Sequence, residues 1–193
     1  MDEKGIAYFD TTIGRCGIAW GPGGIVGIQL PAVDDEQMRV RMAQRFAGLP
    51  EADWPVKVGR AAAAITALLA GQPSDLWPIV LDMDGIPYFE RRVYTIARTI
   101  PRGRTSTYGA IAAEIGDASL ARSVGNALGR NPFAIVVPCH RVLGSGGKPG
   151  GFSASGGVIT KLRLLNIERA RTSEVPMLFD ELPLATAPRR ARG

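Results

Sequence analysis

Residues 105–128 read TSTYGAIAAEIGDASLARSVGNAL, and this stretch predicts two short helices joined by a tight turn. Hydroxyl side chains at 105–107 can cap the start of a helix, and Gly116-Asp117 is a break that ends it. The apolar positions predicted to face inward are Ile111, Ala112 and Ile115 in the first helix, and Leu120, Val124 and Leu128 in a second helix over 118–128. This outline is typical of a helix-turn-helix, which binds DNA, although many helical pairs of other function share it.

The segments around this pair predict an α+β chain. Ile13–Trp20 and Ile25–Leu30 flank the turn sequence at 21–24 and are typical of an antiparallel hairpin. An apolar run over 133–137 indicates a buried strand or extended segment. Further helices are predicted over 34–46, 58–69, 88–100 and 158–169, and a further strand over 76–82.

Charge is distributed unevenly along the chain. Residues 1–84 carry a net charge of −4, whereas residues 85–193 carry +9. We place a domain boundary at this change, which predicts an N-terminal domain over 1–84, a second domain over 85–171 and a flexible tail over 172–193. The basic half suggests contact with a polyanion, although a solvated surface rich in arginine explains the charge equally well.

Composition narrows the class of protein. With 46% apolar and 21% charged residues, the chain has the balance of a soluble globular protein. Its longest apolar run, Ala61–Ala70, is shorter than the roughly 18 residues that a membrane span needs. The charged start over 1–4 does not match a secretory signal, so a cytoplasmic protein is expected.

Cysteine and histidine are scarce. The chain has two cysteines, Cys16 and Cys139, and one histidine, His140. Two cysteines do not make a disulfide framework. A structural zinc site takes about four such ligands, so neither this metal nor a cofactor is expected.

The adjacency of Cys139 and His140 points to nucleophilic chemistry. A free thiol is only a few per cent thiolate at pH 7, and an imidazole can take its proton directly or through a water molecule. Neighbouring residues on extended chain face opposite sides, so the pair needs a bend, with which Pro138 is compatible. A buried cysteine beside an incidental histidine is the alternative.

The segment Pro138-Cys139-His140-Arg141-Val142 resembles the active-site signature of the O6-alkylguanine-DNA alkyltransferases. Other motifs fall in the order and spacing of that family: Gly85-Ile86-Pro87 with Arg92-Val93-Tyr94, Ile100-Pro101-x-Gly103, Thr107-Tyr108-x-x-Ile111-Ala112, Ala121-Arg122-x-Val124-Gly125 and Asn131-Pro132. The resemblance covers residues 85–170 and is only loose before them. It implies a small, ribonuclease H-like antiparallel-sheet domain followed by a mainly helical, winged helix-turn-helix domain.

The same resemblance implies a role for each matching residue. Cys139 is the alkyl acceptor and is used once, His140 is its water-mediated base, and Glu168 orients the imidazole. Asn131 holds the active-site turn together. Tyr108 donates toward N3 of the departing guanine.

For the second helix, the resemblance implies a place in the minor groove of double-stranded DNA. Arg122 then replaces a flipped nucleotide in the duplex, and Ser123, Gly125 and Asn126 share its DNA-facing surface. The charge of the second half agrees with contacts made mainly to phosphate.

The implied substrate pocket consists of Val142, Phe152, Ser153, Ser155 and Lys161, with the carbonyls of Cys139 and Val142 receiving the guanine amine. Two departures from the family stand out. The loop over 151–157 is about two residues longer and has Phe152 in place of a tyrosine, which leaves open whether Ser153 or Ser155 faces the O6 atom. Tyr94 stands where the family has tryptophan, a change in packing.

The leading hypothesis is therefore a monomeric DNA-repair enzyme that transfers the alkyl group of O6-alkylguanine, with O4-alkylthymine as a further candidate, to Cys139 in a single turnover. The first alternative is a non-catalytic lesion-binding or regulatory helix-turn-helix protein. A Cys–His hydrolase is the second, but the sequence lacks an oxyanion-hole signature.

Overall fold

The N-terminal part of the computed structural model, which describes residues 4–170, is a three-stranded antiparallel sheet. The strands lie in the order β1 (Gly5–Thr11), β2 (Gly14–Gly21) and β3 (Gly24–Gln29). β2 and β3 form the predicted hairpin. The pattern does not predict β1, because its two-residue connection to β2, Thr12-Ile13, contains neither Gly nor Asn.

Two helices contribute to separate hydrophobic clusters of this sheet. They are α1 (Asp35–Arg45) and α2 (Val56–Leu69), both close to their predicted positions. α1 adds Met42 to a cluster with Ala19, and α2 adds Ile65 to a cluster with Ile18. Because successive strand residues face opposite sides, β2 has a packed cluster on each face.

The strand predicted over 76–82 is wrong. Only Leu81 makes a β-bridge, parallel to Ile25 of β3. Two backbone bonds hold the segment there: the N–H of Ile25 donates to Val80 at 2.9 Å, and that of Asp82 donates to Ile25 at 2.8 Å. Pro78 has no N–H to donate, so the apolar run does not extend a ladder.

The rest of the described chain is mainly helical. Its helices are α3 (Tyr88–Arg98), α4 (Tyr108–Ile115), α5 (Ala121–Gly129) and α6 (Gly157–Ile167). A short parallel ladder joins β4 (Ser106–Thr107) to β5 (Val142–Leu143). Val93, Ile111 and Val124, from α3, α4 and α5 respectively, are buried in one cluster.

α4 and α5 confirm the predicted helix pair. The hydroxyl of Thr107 accepts a hydrogen bond from the N–H of Ala110 at 3.0 Å and caps α4. Gly116 ends this helix at a φ of 112°, in the region that favours glycine. The second helix starts later than predicted, because a 3₁₀ turn over 118–120, capped by Asp117, precedes α5.

Tyr94 of α3 is buried in the core, at the position where the sequence predicts a change in packing. Its hydroxyl donates to the carbonyl of Ala127 at 3.0 Å, and its ring meets that of Phe133 edge-on at 6.2 Å. The tyrosine therefore brings a hydrogen bond into the core in addition to its apolar area.

The apolar segment over 133–137 is buried but folds as two tight turns. Ile135 has a φ of 71°, and the N–H of Val136 donates to Ala134 at 2.9 Å, which closes a γ-turn. Pro138 (φ −81°, ψ 64°) forms an inverse γ-turn, closed by the Cys139 N–H on Val137 at 2.8 Å. This second turn is the bend that brings the chain into the 3₁₀ turn over 139–141.

Within residues 4–170, the structure contains no helix that is both long enough and apolar enough to cross a membrane. The tail predicted over 172–193 lies outside the described residues, as does Arg171 at the end of the second predicted domain.

Candidate active site

Cys139 lies at a cavity of about 530 Å³ between α4, α5 and the loop before α6. The cavity is lined by Tyr108, Ala121, Arg122, Gly125, Asn126, Leu128, Gly129, Cys139, Gly151, Phe152 and Ser153. Seven of the residues predicted from the sequence therefore line this cavity, and the half-buried Cys139 is one of them.

Seven other predicted residues are not part of this lining; His140, Glu168 and Asn131 are among them and are described below. Ser123 is exposed on α5, whereas Val142 and Lys161 are fully buried. The carbonyl of Ser155 accepts the hydroxyl of Thr160 at 2.6 Å, in the first turn of α6. Between the two candidate serines, the cavity includes Ser153.

His140 is held by a buried hydrogen bond to Glu168. Its Nε2 lies 3.0 Å from Oε1 of Glu168, and both side chains are almost fully buried. The guanidinium of Arg141 donates to both oxygens of the same carboxylate, from Nε and from Nη2, each at 2.8 Å. Nη1 of Arg141 also donates to the carbonyl of Ile100 at 2.6 Å. The carboxylate thus holds two neighbouring side chains in place.

These contacts set the charges of the pair. Burial raises the pKa of Glu168, but hydrogen bonds and charges from His140 and Arg141 outweigh it and lower the pKa to about 2. Burial lowers the pKa of His140 from its ordinary value, against the opposite effect of Glu168. The resting state is therefore a carboxylate beside a neutral imidazole.

The tautomer of His140 follows from this arrangement. Glu168 accepts a hydrogen bond, so Nε2 carries the proton and Nδ1 presents a lone pair. Nδ1 is buried and has no hydrogen-bond partner among residues 4–170. A lone pair next in the chain to a thiol can act as a base.

Asn131 fixes the turn before the cysteine. Its Nδ2 donates to the carbonyl of Val137 at 2.9 Å, and its Oδ1 accepts the N–H of Phe133 at 2.9 Å. Burial raises the pKa of Cys139, while the Asn131 amide and the Lys161 ammonium lower it. The resting group is a thiol whose anion has two stabilising neighbours.

Lys161 links α6 to the tyrosine of the cavity. Its Nζ donates to the carbonyl of Val142 at 2.6 Å and to the hydroxyl of Tyr108 at 3.4 Å. Burial lowers the pKa of this lysine and raises that of Tyr108. Tyr108 is therefore a protonated donor, with a cation at its oxygen and the thiol nearby.

Helix α5 presents a small-residue surface beside the cavity. Arg122 and Asn126 are exposed, and Arg122 makes no hydrogen bond or ion pair among the described residues. A Cβ built at Gly125 would lie 3.8 Å from Cδ1 of Tyr108, so the helix backbone itself borders the cavity.

Two residues of the site have roles that the sequence does not indicate. Arg141 belongs to the quoted signature, but nothing local shows that it pairs with Glu168, 27 residues later. Arg45 of α1 donates from Nη2 to the carbonyl of Asn131 at 3.1 Å, and no sequence signal relates two residues so far apart. Within residues 4–170, no group of three or more His, Cys, Asp or Glu side chains is arranged to hold a metal ion.

Comparisons with known proteins identify relatives of this chain. Residues 88–170 match the family model described as 6-O-methylguanine DNA methyltransferase, DNA binding domain. The methylated-DNA–protein-cysteine methyltransferase of Mycolicibacterium paratuberculosis is 46% identical over 114 residues, which are 59% of this chain and 67% of the relative. The enzyme of that name from Methanothermobacter thermautotrophicus is 36% identical over 152 residues, or 79% of this chain and 78% of the relative.

A solved structure shares the architecture. The crystal structure of Mycobacterium tuberculosis OGT in complex with DNA matches with a TM-score of 0.67 and 32% identity, and the match covers 84% of this chain and 91% of that one. The mixed α/β arrangement of a small antiparallel sheet with helices is thus common to both.

Proposed function

Since the chain belongs to the family of methylated-DNA–protein-cysteine methyltransferases, and so repairs DNA by taking an alkyl group onto itself, we propose that Cys139 is the acceptor of that group. The observation that supports this proposal most directly is the position of the Cys139 thiol. It lies half-buried at the cavity, and the neighbouring His140 is hydrogen-bonded to Glu168. The substrate is O6-alkylguanine in double-stranded DNA.

The first step is proton removal from the thiol. Nδ1 of His140 takes the proton through one water molecule, and Glu168 stabilises the imidazolium that results. The Asn131 amide and the Lys161 ammonium favour the thiolate. Arg141 keeps the carboxylate charged and in place.

In the second step, Sγ of Cys139 attacks the alkyl carbon. The S–C bond forms as the C–O6 bond breaks, and the electron pair of that bond passes to the guanine. Over the whole reaction, the thiol loses one proton and the guanine gains one, so the products are a thioether and an unmodified guanine. The thioether is stable, and each molecule therefore reacts once.

Tyr108 stabilises the departing guanine by donating its hydroxyl hydrogen toward N3. The Lys161 ammonium at 3.4 Å makes this hydroxyl a stronger donor. Phe152 supplies an aromatic wall for the base, and Ser153 is the hydroxyl that faces O6. The carbonyl of Val142 already accepts Lys161, so the guanine amine uses its second lone pair together with the carbonyl of Cys139.

DNA binding uses α5. The base must leave the duplex to reach a thiol inside a cavity, and Arg122, which is free of other bonds among residues 4–170, fills the position that the base vacates. Ser123, Gly125 and Asn126 lie at the minor groove beside it. In this proposal α4 and α5 are the two helices of a winged helix-turn-helix, and the N-terminal sheet is of the ribonuclease H-like type.

Several finer predictions go with this proposal. They are the division into domains at residues 84 and 171, the flexible tail over 172–193, a monomeric state, a cytoplasmic location and O4-alkylthymine as a second substrate. Each stays a prediction.

The test is an intact-mass measurement after incubation with DNA that contains O6-methylguanine. We expect one added methyl group per molecule, located at Cys139, and none in Cys139→Ser. Cys16→Ser is the matched control and should still be methylated, because Cys16 is fully buried. Tight DNA binding without methylation would favour a non-catalytic binding protein, and repeated turnover on esters or amides would favour a hydrolase.

A further inference from the structure

Arg45 ties the end of α1 to the segment that carries the reactive cysteine. Its Nη2 donates to the backbone carbonyl of Asn131 and its Nη1 to Oε1 of Gln29, both at 3.1 Å. The guanidinium carbon lies 5.6 Å from the centroid of the Phe46 ring. One side chain of the N-terminal part therefore bridges two acceptors, one of which belongs to the active-site segment.

Asn131 carries the effect of this contact to Cys139. Asn131 is 7% exposed, and its side-chain amide makes hydrogen bonds to the backbone of Phe133 and of Val137. These two residues lie on either side of the γ-turn at Ile135. The same amide favours the thiolate of Cys139. A shift of the Asn131 backbone would move this amide, and with it the turn that presents the thiol.

The next residue is held from the same side. The N–H of Ile28 in β3 donates to the carbonyl of Pro132 at 2.8 Å. A Cβ built at Gly27 would lie 2.5 Å from Cε1 of Phe46 and 3.2 Å from the carbonyl oxygen of Pro132. There is thus no room for a side chain at Gly27, between Phe46 and the Pro132 carbonyl, so the Arg45 contact lies beside a closely packed part of the interface.

We propose that Arg45 is a positioning residue for alkyl transfer. It holds the backbone of Asn131, so that the side-chain amide of Asn131 stays aligned at the turn before Cys139. The inference rests on the proposed role of Cys139. It gives the N-terminal sheet and α1 a part in the chemistry, because the guanidinium reaches the reacting group through one intervening residue. A lysine replaces this contact only in part. Its ammonium is a compact charge, whereas the planar guanidinium of arginine donates from two nitrogens to two separate acceptors, here Gln29 and Asn131.

The test uses the full chain with Arg45→Gln and Arg45→Lys, and Arg39→Gln as the matched control. Arg39 lies on the same helix, but it pairs with Glu51 on the surface. The measurements are the first-order rate of methyl transfer at saturating O6-methylguanine DNA, the DNA affinity, and the pH dependence of Cys139 alkylation by iodoacetamide without DNA.

For Arg45→Gln, we expect the transfer rate to fall about tenfold, the effect of losing a hydrogen bond to a charged group. DNA affinity should change less than about twofold, because Arg45 is not part of the cavity lining. The iodoacetamide profile should move to higher pH, which a loss of stability alone does not cause. Arg45→Lys should show a smaller change of the same kind, and Arg39→Gln none.

An Arg45→Gln protein with the parent transfer rate and the parent pH profile would overturn the inference. Equal losses in Arg45→Gln and Arg39→Gln would also overturn it, because they would indicate general destabilisation. If Arg45→Gln does not fold, the pH profile of Arg45→Lys decides. Failure of the parent chain to accept a methyl group at Cys139 is a separate outcome, which rejects the proposed function itself.

Discussion

Nε2 of His140 lies 3.0 Å from Oε1 of Glu168, although 28 residues separate them in the chain. The contact is buried, and Arg141 binds the same carboxylate through two further hydrogen bonds. A buried carboxylate that serves a neutral imidazole and a guanidinium is costly to remove, because the guanidinium then loses its counter-charge. The proposed active site and the stability of the fold therefore depend on the same carboxylate.

The first prediction concerns Glu168→Gln. The change should lower the free energy of unfolding by about 3 kcal/mol, since Arg141 is left buried without a counter-charge. It should also slow methyl transfer by about a hundredfold, the scale of a general-base contribution. Urea denaturation and single-turnover kinetics measure the two effects. Glu51→Gln, which breaks an exposed pair with Arg39, should cost no more than about 1 kcal/mol.

The second prediction concerns pH and stability. The pKa of His140 is lower in the folded protein than its ordinary 6.5, so below pH 6.5 the unfolded chain binds a proton that the folded chain does not. The folded pKa of Glu168, about 2, lies below its ordinary 4.5, so its contribution is lost as pH falls from 4.5 toward 2. Both groups make stability fall on acidification. Urea midpoints measured between pH 8 and pH 3 test this, and a flat curve would contradict it.

The third prediction concerns Tyr108→Phe. Loss of the hydroxyl removes the donor at N3 of guanine and should slow transfer by about a hundredfold, as removal of one transition-state donor does. DNA affinity should stay within about twofold, because the ring still borders the cavity. Single-turnover rates and binding titrations with damaged duplex provide the comparison. Tyr88→Phe changes an exposed hydroxyl and is the control; a parent-like rate in Tyr108→Phe would exclude the donor role.

The fourth prediction separates base flipping from chemistry. Arg122→Ala should slow transfer from O6-methylguanine in duplex DNA by about tenfold, because the flipped state loses its replacement side chain. Transfer from free O6-methylguanine base needs no flipping and should be unchanged. Arg39→Ala removes the same charge away from the cavity and should affect neither reaction. Equal losses on both substrates would argue against the assigned position of Arg122.

The fifth prediction concerns the thiols. Burial raises the pKa of Cys139 above its ordinary 9.0, so its alkylation by iodoacetamide should keep accelerating beyond pH 9.0. Cys16 is fully buried, and burial raises its pKa to about 12, so it should react only after unfolding. Peptide mapping at a series of pH values distinguishes the two sites. Early labelling of Cys16 would contradict the structure.

Local patterns were sufficient to predict part of the molecule. The capping hydroxyl of Thr107, the break at Gly116 and the spacing of Ile111 predicted the helix pair, because each acts within a few residues of its own position. The sequence predicts that the apolar run over 133–137 is buried and that Pro138 is compatible with a bend before Cys139, but it does not predict the γ-turn at Ile135. A β-branched residue such as Ile135 adopts a φ of 71° only when the surrounding structure holds its backbone there. The local sequence pattern therefore does not predict this turn.

The sequence predicts those residues of the candidate site that their chemistry or the family motifs single out. Cys139 and His140 are adjacent in the chain, and the family motifs indicated Glu168 and Tyr108. The contacts of Arg141 with Glu168 and of Arg45 with Asn131 depend on how distant segments pack. Lys161 is similar: a lysine on a helix predicts an exposed charge, whereas here it is fully buried with the Val142 carbonyl as its partner.

The burial of Cys16 in β2 limits the number of alkyl groups that one folded molecule can take up. The chain has two cysteines, and Cys16 is inaccessible. With Cys139 as the proposed acceptor, each molecule gains at most one alkyl group while it remains folded. The fraction of chains with increased mass then equals the number of lesions removed per protein molecule supplied. A sample of the protein is accordingly a stoichiometric counter of alkylation, readable by mass spectrometry without a labelled substrate.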